Sequence, residues 1–211
     1  MNLLDRFFAA LGFTGPLQPA DRPLWANTRT LNDLADLTAA WLNGHIASQP
    51  GYYGPVDVDE DDAPGLTAAL IACNRARYLT DNSQAGYVGV GADGRQWVQH
   101  AAVTGFANPD SLGWLRAAVD AAGLHMIERP VVTSRRQNTR AGVDVTFRDG
   151  RPVTGFGDQL DRGHIENVLY RGCGREAVGE VCAAVQVTVW DPTPGRNGMW
   201  RVLHVAAAVR V

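Results

Sequence analysis

No lysine occurs anywhere in the 211 residues; all 19 basic side chains are arginine. The arginines are spread along the chain rather than gathered in one segment, so the bias reads as high-GC coding and points to no function by itself. Cysteine is scarce, with Cys73, Cys173 and Cys182 alone. An odd and sparse set argues against a disulfide-stapled secreted fold and favours a reducing compartment, so the chain is expected in the cytoplasm with its cysteines as thiols. Long apolar runs and a cleavable leader pattern are also missing. Residues 1–12 place Leu3, Leu4, Phe7, Phe8 and Leu11 at helical spacing around Asp5 and Arg6, which predicts a short amphipathic helix docked on the body rather than a membrane span. Strong charge of one sign is absent as well: a net charge of −3 and a pI near 5.9 give no global pull toward nucleic acid or an anionic membrane.

What is present is an ordinary globular composition, 45% hydrophobic and 19% charged, in a chain long enough to bury one substantial core. The expected organisation is a single α+β domain over residues 1–211, with residues 1–23 as N-terminal helix and linker. The expected architecture is an antiparallel-rich mixed sheet with helices packed on it, and a homodimer stays open.

Local signals place most elements. Thr30 with Asp33 three residues on predicts a capping box, followed by Leu34, Leu37, Trp41 and Leu42 on one helical face. Residues 51–62, with Asp57, Asp59, Glu60, Asp61 and Asp62, read as a solvated acidic loop. Asp62 can cap a helix entered through Pro64 and lined by Leu66, Ala69, Leu70 and Cys73, ending near Arg75. A strand at residues 78–80 follows, and strands near 87–90 and 95–103 flank Ala92-Asp93-Gly94, a hairpin turn. Asn108-Pro109 opens a helix that Gly123 closes. A strand at 124–132 comes next. Hairpins are expected around Asp149-Gly150, between 143–147 and 152–156, and around residues 191–195, between 184–190 and 199–209. Short helices over 164–171 and 175–182 complete the reading, weakened by four glycines.

No catalytic or metal-binding motif stands out. Gly89-Val90-Gly91-Ala92-Asp93-Gly94 matches the dinucleotide fingerprint in letters, but a strand follows where a helix N-terminus is needed, so a glycine-rich hairpin turn is preferred. His164, Cys173, Cys182 and His204 lack the close ligand pairs of a zinc site. No local signature supports a Cys/His nucleophile pair. Asp161, Glu166, Glu176 and Glu180 read as solvated surface acids. Arg129, Arg135, Arg136, Arg140, Arg148 and Arg151 form a basic strip with Phe147 as its one aromatic, which reads as an edge kept soluble by charge in preference to a nucleic-acid contact.

One stretch carries unusual polar density. In Asn74-Arg75-Ala76-Arg77-Tyr78-Leu79-Thr80-Asp81-Asn82-Ser83-Gln84, the groups of Thr80, Asn82, Ser83 and Gln84 can either close a turn on their own backbone or line a pocket for a polar ligand. The residues alone favour the turn. Read together with Trp97-Val98-Gln99-His100-Ala101, the segment resembles the C-terminal regulatory domain of eukaryotic methylenetetrahydrofolate reductase. There a helix ends in Asn, a Leu-Thr-x-Asn-Ser-Gln segment follows, and an aromatic strand carries Gln-x-Ala. The resemblance covers residues 62–127, departs where Arg77 stands in place of Gly and Ala85 in place of Pro, and lacks the flavin barrel, so folate reduction is not implied. It implies S-adenosylmethionine as ligand, with Thr80 and Ser83 as contacts and Asp62 near the preceding helix start. The element order is also similar to stand-alone chains of high-GC bacteria and their mobile elements, a likeness that carries no activity.

The leading expectation is therefore a non-enzymatic small-ligand-binding or sensor domain, for S-adenosylmethionine or a related adenosine compound, with Thr80, Ser83, Asn82, Gln84 and Asp62 as site residues. The alternative is a macromolecular interaction or counter-defence accessory protein using the arginine strip or the acidic loop. A third is an enzyme on a nucleotide-like ligand, with Asp62, Asp81 or His100 as acid/base groups.

Overall fold

The computed structural model describes residues 17–51, 63, 65–91, 93–133 and 141–210. The expected helix over residues 1–12, the acidic loop beyond Gly51, Asp62, Pro64, and Arg135, Arg136 and Arg140 lie outside the described residues.

The helices begin where the sequence offers caps. After a short α1 at Arg22–Ala26, α2 spans Leu31–Leu42 behind the predicted capping box. The Thr30 hydroxyl accepts the Asp33 N–H at 3.1 Å, and the Asp33 carboxylate accepts the Arg29 N–H at 2.8 Å and the Thr30 N–H at 2.9 Å, which holds the carboxyl of Asp33 below its usual range. Helix α3 covers Leu66–Arg75. Four strands follow: β1 at Tyr78–Gln84, β2 at Tyr87–Val90, β3 at Gln96–Gln99 and β4 at Ala102–Ala107. Helix α4, Pro109–Ala122, runs from the Asn108 cap to Gly123, whose φ of 64° ends it in the left-handed region.

Strand β5 is His125–Pro130, and β6 at Val143–Arg148 pairs with β7 at Arg151–Phe156 around the Asp149-Gly150 turn. A three-residue α5, Arg162–His164, passes into a π-helical turn at Ile165–Leu169. Helix α6 is Arg175–Ala183, β8 is Val185–Trp190 and α7 is Gly198–Ala208.

The strands form two four-stranded sheets, ordered β1-β4-β8-β5 and β2-β3-β6-β7, antiparallel throughout. An isolated parallel bridge joins Val132 to Asp161. The chain is thus α+β, with helices packed on the first sheet. One face of that sheet carries Tyr78, Val103, Val187 and Val189 against Leu70, Trp114, Leu115, Trp200 and Leu203 of α3, α4 and α7. The opposite face carries Leu79 and Phe106 against Trp25, Leu34, Ile165 and Val181. Farther along, Ala102 meets Val145 and Phe156 of the second sheet. No described helix is long and apolar enough to cross a membrane.

Two expectations are corrected. Of residues 199–209, read as a strand, all but Val209 lie in α7, because Met199, Trp200, Leu203 and Ala207 repeat at helical spacing and are fully buried; the β-branched Val202, Val205 and Val209 gave the misleading signal. Strand β1 runs four residues past Thr80, so Thr80–Gln84 is not a turn: Thr80 bonds to Asn74 of α3, and Gln84 reaches His100 O and Thr146. Glu180 is exposed, as expected of a surface acid, and its Oε2 also accepts the Leu31 N–H at 2.7 Å, capping α2 from across the fold.

Candidate functional site

The polar segment sits on β1, which ends the order of the first sheet and, among the described residues, pairs only with β4. Tyr78, Leu79 and Thr80 face Ala107, Phe106 and Gly105. The register then slips, so that Asn82, Ser83 and Gln84 face Thr104, Val103 and Ala102. Asp81 is the extra residue of this β-bulge. In a regular strand, positions three apart point to opposite faces. The inserted residue resets the alternation, because Thr80 and Ser83 pair with Gly105 and Val103, two residues apart on β4 and therefore on one face.

The bulge thus divides the four polar residues into two pairs. Thr80 and Ser83 lie on the face covered by α3, α4 and α7. Asn82 and Gln84 lie on the other, with Asn82 exposed.

Their roles diverge accordingly. The Thr80 Oγ1 accepts from Asn74 Nδ2 at 2.6 Å, and the Thr80 N–H donates to Asn74 Oδ1 at 3.1 Å. Asn74, wholly buried on the last turn of α3, also donates to Leu70 O at 2.9 Å. Having accepted from Asn74, the Thr80 hydroxyl keeps its own proton for donation. Gln84 is a seam residue: its Nε2 donates to His100 O at 2.8 Å, and its Oε1 accepts from Thr146 Oγ1 at 3.1 Å, tying the two sheets together. Ser83 is half-buried.

Burial sets the local electrostatics. Asp81 is half-buried by exposed surface, yet desolvation pushes its carboxyl up to about 7. Burial raises the Tyr78 phenol well above its usual value, with Cys73 and Asp81 adding to the shift, while its hydroxyl is anchored on Val187 O at 3.1 Å. Desolvation pushes Cys73 and Cys173 up to about 12 and raises Cys182. These shifts favour the thiol over the thiolate form. His100 Nδ1 lies 2.8 Å from Asp191 O; a carbonyl only accepts, so Nδ1 carries the proton, and the ring meets Phe147 edge-on.

The remaining candidates are dispersed. Among the described residues no three His, Cys, Asp or Glu side chains are placed to hold a metal ion. The glycine-rich segment is the β2–β3 turn, where Arg95 O accepts the Gly91 N–H at 2.9 Å. The described members of the arginine strip fall on both sheets: Arg129 donates to Ala141 O at 2.6 Å from β5, whereas Arg148 reaches Asp93 at 3.4 Å and stands 5.6 Å over the Trp97 ring on the second sheet.

The bulge and the Asn74 anchor escaped sequence reasoning. The only local trace of the anchor was the placement of Asn74 six residues before Thr80.

No curated protein matches the sequence. A family model described as a domain of unknown function (DUF6919) matches residues 20–209, and the chain belongs to that family.

Proposed function

We propose that the chain is a non-enzymatic small-ligand-binding domain whose contact strand is β1, and that its ligand is S-adenosylmethionine or a related adenosine compound. The observation that carries this reading is the bulge at Asp81, which aligns Thr80 and Ser83 on one face of the sheet. Two hydroxyls so aligned can address one ligand, and Thr80 is already oriented by Asn74 with a proton left to give. Arg77 adds support to the resemblance to the regulatory domain. Its φ of 68° lies in the left-handed region, so the backbone has the form glycine favours at the position where that family pattern carries Gly. Asn82 and Gln84 fall out of the contact set on this reading, Gln84 because it is spent on joining the sheets.

The test is a thermal-shift titration of the full chain with S-adenosylmethionine, S-adenosylhomocysteine and ATP. Ligand at 100 times its dissociation constant stabilises by about 2.7 kcal/mol. A saturable shift that weakens in Thr80→Ala and Ser83→Ala is expected, by about 0.5 to 1.5 kcal/mol of binding energy each; an unchanged affinity in both variants removes the assignment.

A macromolecular partner is the second reading. It is favoured by the exposed Tyr87, Val88, Val90 and Val153 on the outermost strands of the second sheet. Under that reading partner capture succeeds, and no adenosine compound shifts the melting temperature.

A further inference from the structure

We propose that a cleft at the α3–β1 junction, separate from the hydroxyl pair on β1, binds a phosphorylated small molecule through Arg75, Arg77 and Arg210. The cleft has a volume of about 710 Å³ and lies between that junction, the start of α4 and the end of α7, with Asn32, Asp110 and Trp114 also in its lining.

Arg75, Arg77 and Arg210 face Asp110 in the lining and Asp36, which pairs with Arg77 beside it, so three guanidinium groups against two carboxylates leave the cleft positive. Asp110 sits in the first turn of α4, where the helix macrodipole already favours a negative charge. Arg75 and Arg210 are exposed, and among the described residues their guanidinium groups make no hydrogen bond or ion pair, so the fold leaves both charges unengaged. Guanidinium forks match phosphate oxygens in bidentate geometry, and several of them converging on one hollow is how phosphate is recognised in preference to chloride.

The backbone beneath these side chains is fixed. The Trp114 indole donates to Ala76 O at 3.2 Å, pinning the residue between Arg75 and Arg77. Arg77 occupies the left-handed region at φ 68°, a conformation disfavoured for a residue with a long side chain, and its guanidinium is braced by Asp36 at 2.6 Å and Asn32 O at 3.3 Å. A braced side chain on a strained backbone is what a preorganised binding position requires. The site does not rest on the start of α4, because the Ser111 N–H is already taken by Asn108 Oδ1 at 2.9 Å. The volume falls in the range of small-molecule sites, about 300 to 1,000 Å³, and far exceeds one phosphate, which points to a phosphomonoester with an organic body rather than the free ion.

The test titrates the full chain with inorganic phosphate, phenyl phosphate and sodium chloride at matched ionic strength, reading the melting temperature and, separately, the 31P linewidth. Expected are saturable stabilisation and line broadening by both phosphates, tighter for the ester. In the double variant Arg75→Gln/Arg210→Gln the affinity falls on the order of tenfold or more, and in Arg95→Gln, on the distant β2–β3 turn, it is retained. Phosphate acting no differently from chloride overturns the proposal, as does full affinity in the double variant. Inorganic phosphate binding more tightly than the ester overturns the size argument. Because S-adenosylmethionine carries no phosphate, failure here is distinguishable from failure of the β1 reading, which is read through Thr80 and Ser83.

Discussion

The side chain of Asn74 holds Thr80 from both sides, its amide nitrogen donating to the hydroxyl at 2.6 Å and its oxygen accepting the backbone N–H at 3.1 Å. Asn74 thereby joins the end of α3 to the strand just before its bulge. Replacing it by alanine leaves the buried Thr80 N–H unpaired, and an unsatisfied buried donor costs about 1–3 kcal/mol. Asn74→Ala is therefore expected to lower the urea unfolding free energy by roughly 2–4 kcal/mol once the lost packing is included. A loss below about 0.5 kcal/mol, the level of an ordinary surface change, would contradict the anchoring role.

Asp81 makes stability depend on pH in a defined window. Its folded-state value of about 7 lies above its ordinary 3.8, so the stabilising protonated form is fully effective below about pH 3.8, and its contribution disappears as pH rises through about 7. Urea midpoints of the wild type measured between pH 5 and pH 8 should decline relative to those of Asp81→Asn, which carries no titrating group there. Parallel curves for the two proteins would show that the Asp81 carboxyl titrates normally.

Gly105 controls how closely β1 approaches β4. A Cβ at this position would run into Leu79 O and stand 2.9 Å from Thr80 Cα, beside the residue that precedes the bulge. Gly105→Ala is expected to cost about 1–3 kcal/mol through overpacking, and amide exchange should quicken in β1 before it does in β5. A variant as stable and as protected as the wild type would mean the strand pair yields without cost.

The cap that Glu180 gives to α2 is tested by substitution. Glu180→Ala removes the acceptor 2.7 Å from Leu31 N and should destabilise by about 0.5–2 kcal/mol, whereas Glu180→Gln keeps an acceptor oxygen and should lose less. Equal losses in the two variants would assign the effect to packing on α6 instead.

These cases mark what the sequence makes legible. Thr30 with Asp33, Asn108-Pro109 with Gly123, and the Asp93-Gly94 and Asp149-Gly150 turns declare themselves because donor, acceptor or required φ all lie within a few residues. The partners of Gln84 and Glu180 lie up to 62 and 149 residues away, and no local pattern announces them. Thr80 to Gln84 reads as a turn for the same reason: five polar residues in a row look self-sufficient until Thr80 is seen bonded to α3 and Gln84 to the second sheet. The α7 segment fails differently. Its valines carry a strand propensity that the burial of Met199, Trp200, Leu203 and Ala207 overrides. Of the candidate site, the residue types are legible, but the bulge that groups them is not.

The most direct test of the ligand-binding account is a two-dimensional amide NMR titration of the full chain with S-adenosylmethionine. The account predicts saturable perturbations centred on Thr80, Asp81 and Ser83 and their β4 neighbours Gly105 and Val103, with the β6–β7 hairpin unmoved. A spectrum unchanged at millimolar ligand, or perturbations confined to residues away from β1, would contradict it.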